Sequence, residues 1–107
     1  MAFVRKKVAT YKWPVVAEQP ADGRFERQCF DVVFRRLGRS QFKELAEQGD
    51  AELLEAVLDG WEGVEDENGK PLPCTPAIRR EMTDDPFFSR AVLKAYLESL
   101  EGAPAKN

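Results

Sequence analysis

The sequence contains no histidine, which removes the side chain most used for proton transfer near neutral pH and the usual partner of a serine or cysteine nucleophile. Hydrolytic triads in their histidine-containing forms are therefore excluded. Cysteine is almost as scarce. Cys29 and Cys74 lie far apart with no Cys-X-X-Cys spacing, which argues against a thiolate metal site and fits two free thiols serving as small buried hydrophobes. No run reaches the roughly 18 consecutive apolar residues that cross a bilayer, and no long apolar segment follows the charges near the start. The expectation is a cytosolic protein that does not enter a membrane. Internal repeats and low-complexity tracts are also missing. What remains for catalysis is carboxylates and lysines, and nothing in their spacing pairs them, so no catalytic residue, cofactor or metal is assigned and the chain is read as a non-enzyme.

What is present is an ordinary globular composition: 107 residues, 43 % hydrophobic, with a formal net charge of −3. The charge is unevenly divided. Residues 1–43 carry ten basic and four acidic side chains, a net of +6, whereas residues 44–107 carry six basic and fifteen acidic ones, a net of −9. Such asymmetry either steers head-to-tail association or holds two halves of one fold together.

Periodicity divides the chain into a strand half and a helix half. Ala9, Tyr11, Trp13 and Val15 alternate with polar residues as in a half-buried strand, which Pro14 confines to an edge or ends near Trp13. Residues 17–23 read as a loop with Asp22-Gly23 as its turn, and Phe30, Val32 and Phe34 share one face of a second strand between Arg24 and Arg36. Beyond Gly38 the period becomes helical. Ser40 and Asp50 are candidate N-caps, and Leu53, Leu54, Val57, Leu58 and Trp61 form one apolar stripe, with Gly60 and Gly63 marking the helix end. Thr75-Pro76 and Asp85-Pro86 each read as an N-cap followed by proline at the first helical position. The last helix, from about Pro86 to Leu100 with Gly102 after its end, carries Phe88, Val92, Ala95 and Tyr96 on one stripe and Leu93, Leu97 and Leu100 on another. The predicted fold class is α+β: one domain with an N-terminal antiparallel hairpin (1–37) packed against three to four helices (38–101), and a tail (102–107). A lone hairpin is marginal in water, so its apolar face needs the helices or another subunit of a homo-oligomer to cover it.

Between Trp61 and Pro73 the sequence reads Trp-Glu-Gly-Val-Glu-Asp-Glu-Asn-Gly-Lys-Pro-Leu-Pro. Asn68-Gly69 is a dipeptide suited to positive φ at both central positions of a tight turn. The acids Glu62, Glu65, Asp66 and Glu67 lack the alternating ligands and distant glutamate of an EF-hand and read as a solvated turn. Over residues 50–97 the chain resembles the phage tail assembly chaperones. Trp61, Gly63, Val64, Asp66, Gly69, Leu72, Pro73 and Thr75 carry the resemblance, together with the closing Ala95-Tyr96. It departs at Cys74, where the family commonly has an aromatic residue, and at Thr75, where serine is more usual.

The resemblance implies a non-enzymatic protein of the bacterial host cytoplasm, made by a phage or prophage, that coats the tape measure protein and keeps it soluble until the tail tube polymerises. It also implies that a longer, frameshifted form of such a chain recruits the tail tube protein. Trp61, Phe87, Leu93, Tyr96 and Leu97 are the candidate partner-binding residues. The alternative for Trp61 is a core side chain whose indole N–H meets a nearby carbonyl. A second functional class is a small nucleic-acid-binding regulator using Arg24, Arg27, Arg35, Arg36 and Arg39 with Arg5, Lys6 and Lys7, against which stands the pI of about 5.1.

Overall fold

Asp22 and Gly23 both adopt positive φ, 46° and 82°, the requirement of a two-residue hairpin turn whose twist matches its strands. That turn lets the ladder run unbroken from β1 (Thr10–Ala21) into β2 (Arg24–Arg35), closing at Ala21 opposite Arg24. The computed structural model describes residues 2–4 and 9–101, so Arg5, Lys6, Lys7 and Gly102 lie outside the described residues. Strand β1 is longer than the sequence pattern implied, because residues 17–21 pair rather than loop. Its prolines explain how. The Arg36 amide donates to Ala9 O at 2.8 Å, so odd positions of β1 exchange hydrogen bonds with β2, and Pro14 and Pro20 point their N–H-less nitrogens to the open edge.

The helical half holds one correction. Helices α1 (Arg39–Gln48) and α2 (Asp50–Val57) form, but the stripe expected to continue to Trp61 leaves the helix at Leu58 and becomes β3 (Leu58–Glu62), the third strand in the order β1-β2-β3. Val32 pairs with Trp61 and Phe34 with Leu58, with an irregular step between Val33 and Phe34. That bulge at Asp59 puts two residues three apart on the same face of the sheet, a spacing that otherwise belongs to a helix. Gly60 and Gly63 therefore flank a strand residue, not a helix end. Neither proposed cap acts as one: Gly38 and Gly49 are the N-cap residues of α1 and α2, without side-chain bonds, and Ser40 and Asp50 lie inside the first turns.

Helices α3 (Pro76–Asp84) and α4 (Pro86–Leu100) begin where the sequence places them. Thr75 Oγ1 accepts from the Ile78 amide at 3.3 Å, and Asp85 Oδ1 from the Phe87 and Phe88 amides at 2.9 and 3.4 Å. The fold is α+β, with a three-stranded antiparallel sheet and four helices among the described residues. Val15, Val32 and Phe34 of the sheet meet Leu54 and Val57 of α2 and Phe88, Val92 and Tyr96 of α4 in one core. Helix α4 lies along β1 and α2 against β2 and β3. The far end of the hairpin extends past this core, with every residue from Asp22 to Cys29 exposed. Cys29 is thus solvent-facing rather than buried, since its odd position on β2 puts it on the face opposite Val32 and Phe34. No helix among the described residues is long and apolar enough to cross a membrane.

Candidate functional site

The segment from Trp61 to Thr75 folds as one closed unit. The Trp61 indole Nε1 donates to Leu72 O at 2.7 Å, and the Leu72 amide donates to Val64 O at 2.9 Å. Glu65 and Pro71 bridge, and inside that bridge Asp66 organises the turn. Its Oδ1 accepts from the Asn68 and Lys70 amides at 2.8 and 3.0 Å, while its own backbone N–H donates to Lys70 O and its carbonyl accepts from Gly69 N–H. Of Asn68 and Gly69, only Gly69, at φ 80°, is left-handed. The Asn68-Gly69 pair is therefore not a two-residue mirror turn, because the Asp66 carboxylate fixes Asn68 by its backbone amide. At Gly63 a φ of 84° and a Cβ position 3.4 Å from Phe30 Cβ together favour glycine.

The five candidate partner residues do not share a surface. Tyr96 is 1 % exposed and packs its ring against Phe34 at 5.1 Å and Phe42 at 6.1 Å, so its side chain faces the core with Phe88, Val92 and Ala95 of the same stripe. Trp61 is half-buried with its ring edge on Phe88 at 5.6 Å, so the core arrangement with a bonded indole N–H is the one found. Six residues separate Phe87 from Leu93, which at about 100° per residue turns them roughly 120° apart on α4. Leu93 is half-buried against the core, and Leu97 and Leu100 stand 38 % and 53 % exposed on the outer side. Phe87 instead lines two clefts that flank the hairpin, one with Trp13, Val16 and Phe25, the other with Phe30, Val64 and Met82.

No family model matches the chain, and no curated protein or solved structure matches it.

The basic residues of the hairpin are dispersed and partly neutralised. On the sheet face turned from the helices, Lys12 bonds Glu62 at 2.7 Å across β2, Arg35 pairs with Asp59, and Asp31 and Glu18 stand on the same face. Glu62 holds the Lys12 ammonium above its usual range, first by the hydrogen bond and then by charge. Arg24 pairs with Glu26 at 3.5 Å. That face presents mixed signs to solvent rather than a phosphate-binding stripe. Among the described residues no three His, Cys, Asp or Glu side chains gather as a metal site.

Sequence reasoning missed the cleft between the hairpin, the Glu65-Asp66 turn and the start of α4. About 560 Å³ in volume, it is lined by Phe30, Val64, Met82, Phe87 and Phe88 below and by Glu65, Asp66 and Asp85 at its rim. The only signal was the net charge of the second half. Three distant segments build it, and no local pattern brings them together.

Proposed function

We propose that this protein is a phage or prophage tail assembly chaperone that binds the tape measure protein and keeps it soluble in the host cytoplasm until the tube polymerises. The observation that carries the proposal is the Trp61–Thr75 segment, in which the residues of the family resemblance have definite physical work. Trp61 and Leu72 close the unit, Val64 fills its base, Asp66 and Gly69 shape the turn, and Thr75 caps α3. A long helical client exposes apolar stripes that aggregate unless covered, and Leu97 and Leu100 beside half-buried Leu93 offer α4 a small apolar contact strip with charged neighbours. Tail tube protein would be reached through a longer, frameshifted form.

The test is co-expression with the tape measure protein encoded by the same phage or prophage, followed by a pull-down. The client is expected to be soluble and retained with the unaltered chain. With Leu97→Asp and Leu100→Asp, both at exposed positions where folding is spared, retention is expected to fall. A client equally insoluble with and without the protein overturns the proposal.

A further inference from the structure

We infer that the cleft under the hairpin receives the N-terminal segment of a second copy, Phe3-Val4-Arg5-Lys6-Lys7, in a head-to-tail contact. The cleft has an apolar floor that solvent reaches at Phe30, Met82 and Phe87, and its ionisable rim is acidic: Glu65, Asp66 and Asp85 line it, with no lysine or arginine. Asp66 and Asp85 hydrogen-bond backbone amides through Oδ1, and neither makes an ion pair among the described residues. A ligand fitted to this place carries bulky apolar side chains followed by cations. The chain itself contains such a segment. Phe3 and Val4 are 90 % and 71 % exposed, and three cations follow in sequence.

The chain's own segment is poorly placed to fill its own cleft. The cleft opens beside Ala17 and Gln19, at the opposite end of β1 from Thr10, and α4 covers the intervening sheet face from Phe88 near Phe30 to Ser99 at Tyr11. Such contacts close a two-fold dimer where each copy's segment enters the other's cleft, and otherwise give rings or open chains, so the inference predicts association that grows with concentration. This inference needs no client and stands apart from the chaperone proposal.

Gln28 lines the cleft on the same sheet face as Phe30 and is exposed, so Gln28→Cys supplies a trap. In the full chain, Cys29→Ser and Cys74→Ser leave it the sole thiol, and Val4→Cys places a second on the segment. Under a mild added oxidant these two thiols are expected to give covalent dimers or higher oligomers that disappear when Gln28 is retained and weaken in about 1 M salt, where charges are screened within about 3 Å. Sedimentation of the chain without added cysteines is expected to show mass rising with concentration, and the triple variant Arg5→Glu, Lys6→Glu, Lys7→Glu to associate at least about tenfold more weakly. Two outcomes overturn the inference: a cross-link confined to single chains, which would put each segment in its own cleft, or a monomer at every concentration with no inter-chain cross-link above the control that retains Gln28.

Discussion

Trp61 has the largest single side chain in the family-like segment, and its two attachments are separable. Trp61→Phe keeps the ring edge on Phe88 but leaves Leu72 O without its donor, so the expected loss is about 1 kcal/mol. Trp61→Ala removes both and is expected to cost about 3 kcal/mol, at the lower end for aromatic truncation because the ring is half-buried. Urea denaturation of the two variants checks the order, and equal losses would mean the ring packing contributes nothing beyond the indole hydrogen bond. Tyr96 gives a pH prediction. Burial, with Tyr11 adding to it, pushes its phenol up to about 12, above the unfolded value of about 10. Its contribution is therefore intact below about pH 10 and is lost as pH rises toward 12, by roughly 2–3 kcal/mol. Stability of the natural chain should fall more steeply over that window than that of Tyr96→Phe, measured by denaturant titration at each pH. At this scale the sequence was informative where chemistry is local. An indole seeking a carbonyl is a property of tryptophan itself, whereas the withdrawal of Tyr96 from the surface depends on Phe34 and Phe42, which arrive from other elements.

Among the elements, the starts of α3 and α4 were legible because Thr-Pro and Asp-Pro each write a cap and a fixed φ into adjacent residues. Asp85→Ala should cost about 1 kcal/mol, since its carboxylate serves two amides, and Thr75→Ala less, its single bond being 3.3 Å long. Thermal melts of both variants check that order. The starts of α1 and α2 were misread because Ser40 and Asp50 are cap-type residues that follow glycines already in the capping position. Strand β3 escaped for a different reason. A helix places residues three apart on one face, and so does a strand with one extra residue, so Leu58 and Trp61 carry no mark that separates the two. Inserting one residue after Gly60 should turn Trp61 and Glu62 to the opposite faces. The expected outcome is loss of cooperative unfolding, followed by tryptophan fluorescence.

At the level of the molecule, α4 closes the core by lying along β1, with Tyr11 hydroxyl 2.8 Å from Ser99 Oγ, 88 positions apart in sequence. The sequence announced both elements but not their meeting, because an apolar stripe says that a face is buried and not what buries it. A chain cut after Asp84 should therefore lack a cooperative transition and bind a hydrophobic dye. That same closure has a temporal side. A chain grows from its first strand, so Val15, Val32 and Phe34 are made early and their cover comes last. Contacts of such long sequence separation form slowly, and the uncovered sheet edge and face are the state most open to aggregation in the interval. A protein proposed to shield another's apolar surface thus passes through its own unshielded stage on the ribosome. Pro14 and Pro20, turned to the free edge of β1, guard that stage by denying a neighbouring nascent strand two of the amides it would need.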